Sequence, residues 1–190
     1  MACRDDPPPR MRWAGVSLPA RLLAFSLVAV IALAGGYLAR LWLAPAAPER
    51  DPGEVLLAAQ LSDPAGKPQP LTQWQGKVLV VNFWATWCPP CLKEIPEFIR
   101  LQDRYGPRGV QFVGIAIDDT ARVLGFMAQT GMNYPVLMAE REGIDLARAA
   151  GNRLGGLPYT VVIDRQGRAA QVELGVLDEH KLAPVLDRLL

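Results

Sequence analysis

Apolar positions in this chain gather into runs of two kinds. One run, from Leu22 to Ala39, continues for eighteen residues without a charge. The others are short and are separated by glycine, proline and charged residues. Val55–Leu61 reads as a short strand, followed by turn chemistry over Ser62–Pro68. Leu71–Gln75 predicts one helical turn ending at Gly76. Val78–Trp84 (VLVVNFW) is a near-continuous apolar run, as expected of a strand buried on both faces. Pro89 to about Tyr105 reads as a helix, terminated by Gly106, Pro107 and Gly109. Val110–Ile117 predicts a second buried strand, and Asp118-Asp119-Thr120 offers caps for a helix reaching Thr130. A short strand at Tyr134–Met138 and a helix at Gly143–Ala150 follow. Tyr159–Asp164 and Ala169–Leu174 flank Arg165-Gln166-Gly167 as a hairpin. Asp178 caps a last helix running to Leu190. Strands alternating with helices, closed by a hairpin and a helix, predict an α/β fold with a mixed central sheet flanked by helices.

The long run is of a different kind. A bilayer-crossing helix needs roughly 20 apolar residues, and Arg21 and Arg40 flank this run where they can snorkel to the headgroups. Trp42 lies just beyond, at an interfacial position. These features predict a transmembrane signal anchor over residues 22–43. Arg4, Arg10, Arg12 and Arg21 precede it, whereas only Arg40 and Arg50 follow closely. The positive-inside rule then puts residues 1–21 in the cytoplasm as a tail and the remainder outside. A cleavable signal peptide is the rival reading, because Ala44-Pro45-Ala46 resembles a cleavage site. The length of the run and the interruption by Arg40 favour an uncleaved anchor. Residues 44–53, rich in Pro, Ala and charge, read as a semi-rigid tether. The folded domain is expected over residues 54–190, enough for one compact core.

Composition adds little beyond this. Apolar residues make up 51% of the chain, more than a soluble domain needs, and the N-terminal run supplies part of the excess. The net charge of +1 gives no reason to expect capture of nucleic acid. Three cysteines do not make a disulfide scaffold. Cys3 would lie across the membrane from the other two and reads as an incidental thiol. The single histidine, His180, falls on the surface-like last helix.

Candidate chemistry sits in Trp87-Cys88-Pro89-Pro90-Cys91. A strand ends at Trp84 and a helix begins near Pro89, a residue suited to the first helical position. Cys88 therefore falls at the helix N-terminus, where free amide hydrogens and the helix dipole favour a thiolate. Cys91, one turn on, is close enough to bridge to it and is expected to be less exposed. The implied roles are Cys88 as nucleophile and Cys91 as resolving thiol through a mixed disulfide. Pro89 and Pro90 carry no amide hydrogen, so stabilisation of the Cys88 thiolate must come from later donors such as the amide or thiol of Cys91. A zinc half-site or an inert pair is the bland alternative. A zinc site would need a second cysteine pair or histidines, and the domain offers only His180 besides.

FWATWCPPC, Pro96 five residues after Cys91, and Gly155-Gly156-Leu157-Pro158-Tyr159-Thr160-Val161-Val162-Ile163-Asp164 together resemble the thioredoxin superfamily. The match is closer to its membrane-anchored TlpA/ResA branch, disulfide reductases that face the bacterial periplasm. The resemblance covers about residues 54–190 and implies a thioredoxin-like fold. It also implies that Pro158 is a cis-proline opposite the dithiol, that Leu157 offers backbone groups to a client strand, and that Pro96 kinks the active-site helix or else ends it at Ile95. Many thioredoxins carry a buried Asp six residues before the first cysteine; here that position is Asn82, which cannot carry a proton. This branch often has a glutamate three residues after the second cysteine. Glu94 stands there, a candidate proton acceptor for Cys91 or an ordinary first-turn glutamate. Trp87, Pro89 and Pro90 are expected to face the substrate.

The function so implied is a single-pass enzyme of the bacterial inner membrane that reduces protein disulfides in the periplasm, with no cofactor. By resemblance, its clients are apocytochrome c or copper-site proteins, and its electrons come from a membrane thiol reductant of the DsbD/CcdA type. The alternatives are a thiol oxidase, the same enzyme class run in the reverse direction, and a non-enzymatic thiol metallochaperone. A peroxidase is weaker, since the usual peroxiredoxin signature around a lone peroxidatic cysteine is missing.

Overall fold

The computed structural model describes residues 50–140 and 142–190, together with residues 26, 29–38 and 40. The chain divides into two units, Met1–Pro48 and Glu49–Leu190. Within the first, the described residues are helical and exposed. Most of the expected tether, and part of the span expected over residues 22–43, lie outside the described residues. Among the described residues no helix is long and apolar enough to cross a membrane.

The second unit begins with α1 (Pro52–Leu57), where the apolar pattern had predicted a strand from Val55. Local capping explains the difference. Asp51 accepts from Gly53 N at 2.7 Å, and Pro52 occupies the first helical position. Asp51 Oδ1 also accepts from Ala169 N at 2.9 Å, which ties the helix start to the sheet. A run of this length carries no period of its own, so the cap decides.

Five strands follow: β1 (Val78–Trp84), β2 (Val110–Ala116), β3 (Val136–Met138), β4 (Tyr159–Ile163) and β5 (Ala169–Leu174). Their spatial order is β3-β2-β1-β4-β5. β1 pairs parallel with β2, and β2 parallel with β3; β4 pairs antiparallel with both β1 and β5. The central position of β1 accounts for its unbroken apolar sequence, since both of its faces are covered.

Alternation along β1 sends its side chains to two cores. Leu79, Val81 and Phe83 join Leu56 of α1 and Ala147 of α4 (Glu142–Ala149) on one face. Val78 and Val80 join Phe98 and Leu101 of α2 (Pro89–Tyr105) and Leu182 and Leu186 of α5 (Glu179–Leu189) on the other. Towards the C-terminal end of β1, Trp84 packs with Ile95 of α2 and Val123 of α3 (Thr120–Thr130). Each large side chain so buried contributes about 1.5–3 kcal/mol. α2 continues through Pro96, so it does not end at Ile95.

Gly114 of β2 has no side chain because the Trp84 indole lies against its backbone. A Cβ there would stand 2.9 Å from Trp84 Nε1 and 3.6 Å from Tyr134 Cε2. Neither ring can retreat through a filled core. Gly114→Ala is expected to destabilise the oxidised domain by about 1–3 kcal/mol, read as a lower urea midpoint with an unchanged m-value.

Candidate active site

β1 delivers the chain to the dithiol. It ends at Trp84, and a short turn over Ala85–Trp87 leads into α2. Cys88 is the N-cap of that helix, with Pro89 and Pro90 as its first residues. Cys88 and Cys91 are joined as a disulfide, Sγ to Sγ at 2.02 Å. Cys91 N donates to Cys88 Sγ at 3.3 Å, taking the place that the two prolines leave empty. Cys88 keeps slight exposure while Cys91 has none. Pro89, Pro90 and Trp87 are exposed around them.

The turn is anchored from β2's far end. Thr86 N donates to Asp118 Oδ2 at 2.9 Å, and the Thr86 hydroxyl donates to the same oxygen. Asp119 N donates to Asp118 Oδ1 at 2.7 Å. Burial pushes the Asp118 carboxyl upward, but the Thr86 and Asp119 donors and the Arg122 guanidinium outweigh it and hold the group below the usual carboxylate range.

A second loop reaches the dithiol from the β4 side. The Leu157–Pro158 peptide bond is cis. Leu157 packs against the cluster that contains Cys88, Cys91 and Trp84. Asn152 Nδ2 donates to Gly156 O at 2.7 Å and Tyr159 OH donates to Ala150 O at 2.6 Å, which fix this loop against α4. Gly175 N donates to Pro158 O at 2.8 Å, which ties it to the end of β5.

Glu94 lies three residues after Cys91, on the same face of α2. It is fully buried. Its Oε1 accepts from Asn82 Nδ2 at 2.7 Å and its Oε2 from Leu177 N at 3.0 Å. Asn82 Nδ2 also donates to Thr160 Oγ1 at 3.0 Å. Burial raises the Glu94 carboxyl to about 7, against the opposing pull of the Leu177 and Asn82 donors. Burial, and secondarily the Glu94 charge, push the Tyr134 phenol upward as well. Asn82 Oδ1, Trp84 Nε1 and Tyr134 OH are buried without a hydrogen-bond partner. Glu94 is thus buried one helical turn from Cys91 among hydrogen-bond donors, and its raised pKa follows from burial rather than from a helix terminus.

The structure brings Cys88, Cys91 and Leu157 into one cluster, with Glu94 behind it and Trp87 on its rim. His180 is exposed on α5. Sequence reasoning missed Thr160, Leu177 N and the Asp118 anchor. The first two are backbone-register facts with no local signal. Asp118 had one available signal, an aspartate just past a buried strand end, but it reads equally as a helix cap. Among the described residues no group of three His, Cys, Asp or Glu is placed to hold a metal ion.

Residues 51–190 match the Redoxin family. The chain is 32% identical over 130 residues to the thiol-disulfide oxidoreductase ResA of Bacillus thuringiensis, covering 68% of this chain and 73% of that protein. Against the Bacillus subtilis ResA the identity is 31% over 124 residues, 64% of this chain and 66% of the relative. A crystal structure of a thioredoxin-family thiol:disulfide interchange protein from Chlorobium tepidum superposes with a TM-score of 0.62 at 33% identity, covering 69% of this chain and 94% of that one. The fold is therefore thioredoxin-like. With a linked cysteine pair at the start of α2 and relatives of this kind, the chain belongs to the Redoxin family, as a thiol–disulfide oxidoreductase of the ResA type.

Proposed function

We propose that the protein works as a reductant of protein disulfides on the outer side of a membrane. Reduced Cys88 attacks one sulfur of a client disulfide, and the other client sulfur leaves as a thiolate. Cys91 then gives up its proton and attacks Cys88 Sγ, which releases the second client thiolate and leaves the Cys88–Cys91 disulfide. Glu94 is the group we assign to receive the Cys91 proton. Its environment, with a carboxyl near 7, matches a base working at neutral pH. The client chain is taken to lie along the Leu157 backbone beside cis-Pro158, with Trp87, Pro89 and Pro90 around it.

One observation carries the direction. Among the described residues Cys91 N is the single backbone donor to Cys88 Sγ, because Pro89 and Pro90 have none. A strongly oxidising dithiol is one whose reduced form is heavily stabilised. With prolines at the first two helical positions, a Cys88 thiolate has the Cys91 amide as its first-turn donor, which we take to favour giving electrons over taking them. The uncharged run at residues 22–39, flanked by Arg21 and Arg40, supports an anchor over residues 22–43 with residues 54–190 in the bacterial periplasm. In that compartment the dithiol needs recharging, and a membrane thiol reductant of the DsbD/CcdA type suits the task. Apocytochrome c and copper-site proteins are the client classes we infer from the branch the sequence resembles.

The test is the midpoint potential, measured by equilibrium with glutathione or dithiothreitol buffers, alongside reduction of insulin. We expect a potential at or below about −200 mV, with insulin reduced catalytically. A value near about −120 mV, where strong oxidants lie, would reverse the assigned direction.

A further inference from the structure

We propose that the groove on the Trp87 side of the dithiol is a specificity subsite that accepts a lysine or arginine beside the client's disulfide cysteine. This rests on the reading of Cys88 as the nucleophile. The groove is a cavity of about 610 Å³, walled by Trp87, Ile117 and Ile144 and rimmed by Asp119, Arg122 and Glu140. Trp87 immediately precedes Cys88, and its side chain is 58% exposed. An indole left this open beside a reacting sulfur offers a large apolar and π-rich face at little entropic cost.

The groove is held in shape before any client arrives. Asp118 forms its base and is only 8% exposed. Through Thr86 N and the Thr86 hydroxyl it fixes the turn that carries Trp87. Its own charge is offset by Arg122 Nε at 3.4 Å. Asp119 spends one oxygen on capping α3, accepting from Ala121 N at 2.9 Å. Among the described residues Glu140 takes part in no hydrogen bond or ion pair.

The occupant follows from this lining. The wall is apolar and aromatic, so it suits an aliphatic stem. Beside the Asp118–Arg122 ion pair, the lining adds two further carboxylates, on Asp119 and Glu140. A long cationic side chain satisfies both at once, with its stem on Trp87 and its head at Glu140 and Asp119. An acidic client residue at the same place would meet repulsion. These carboxylates form no group placed to hold a metal ion.

The experiment uses the full chain, reduced beforehand. Its substrates are two disulfide-bonded peptides identical except for Lys or Glu beside one cysteine, and uncharged 2-hydroxyethyl disulfide as reference. At low ionic strength the Lys peptide is expected to be reduced about tenfold faster than the Glu peptide. The ratio should shrink as salt is added. In the double variant Asp119→Asn/Glu140→Gln it should fall to within about twofold, while the uncharged disulfide is reduced at the unaltered rate. Asn keeps the helix cap, so folding is preserved. Equal rates for the two peptides, with the reference still reduced, would overturn the subsite and leave the reductase reading standing. A Lys preference that survives in the double variant would also overturn it. Failure to reduce the reference disulfide would overturn both proposals together.

Discussion

Replacing Cys91 by Ala is expected to stop turnover while leaving the first attack intact, so that the protein accumulates in mixed disulfides through Cys88. The two steps separate because they depend on different atoms. The first needs Cys88 Sγ and its donor, the backbone amide of residue 91. That amide is present whatever the side chain, so the nucleophile keeps its environment. The second needs a thiol already held beside Cys88, and Cys91 is that thiol. Without it, release falls to thiols arriving from solution. Well-oriented intramolecular attack is worth effective molarities of about 10⁵ M and more, so resolution should slow by at least about a thousandfold. Ala is preferred to Ser for the test. Position 91 is fully buried among Trp84, Ile95 and Val123, and a hydroxyl there would want a partner. The measurement is mass spectrometry of adducts formed in membrane fractions, with Cys88→Ala as the control that forms none. Adduct-free Cys91→Ala protein, or adducts that persist in Cys88→Ala, would remove Cys88 from the role given to it. The captured clients would also show whether apocytochrome c or copper-site proteins are among them.

How far the sequence disclosed this arrangement depends on the range over which each signal acts. The dithiol's position was legible because its determinants are contiguous. An apolar run long enough for a central strand ends four residues before Cys88, and prolines suited to a helix start follow it. The mixed sheet was legible for a similar reason, since β1 and β2 lack the alternation of a half-exposed strand. The start of the domain misled because Val55-Leu56-Leu57 is too short to show a period, and Asp51, which caps the helix, falls within the stretch read as a tether. The setting of Glu94 was not legible at all. Its partners Asn82 and Leu177 lie 12 and 83 positions away, and the second is a backbone amide whose identity no side chain reveals. The groove beside Trp87 is likewise assembled from the turn after β1, the stretch from Ile117 into α3, and Glu140 with α4, segments that the topology alone brings together.

Glu94→Gln is expected to remove an inflection near pH 7 from the rate of disulfide exchange and to slow the plateau by about a hundredfold, the usual scale of a lost general base. The substitution isolates charge from shape. Gln can accept from Leu177 N with its oxygen and donate to Asn82 with its amide, once the Asn82 amide turns over. That turn presents Asn82 Oδ1, now without a partner, to the new donor, while the Thr160 hydroxyl rotates to donate. The bonds to Leu177 and Thr160 are therefore kept at the cost of an Asn82 Nδ2 turned to where Oδ1 has no partner, and the pH dependence of stability becomes a second, independent readout. In the oxidised protein the Glu94 carboxyl is raised from 4.5 to about 7. Below about pH 4.5 both folded and unfolded chains hold this proton, and the group does not affect the balance. Between 4.5 and 7 the folded chain keeps a proton that the unfolded chain has lost, so stability falls as pH rises. The total decline is about 3 kcal/mol, complete once the pH passes the folded value. Gln cannot titrate, so its variant should lack this decline and gain on the native protein from pH 5 to pH 8, as read by urea unfolding. A stability difference without any change in the kinetic profile would make Glu94 a buried structural acid and no more. Loss of the inflection together with the flattened stability curve is the outcome that ties the buried carboxyl to the Cys91 proton.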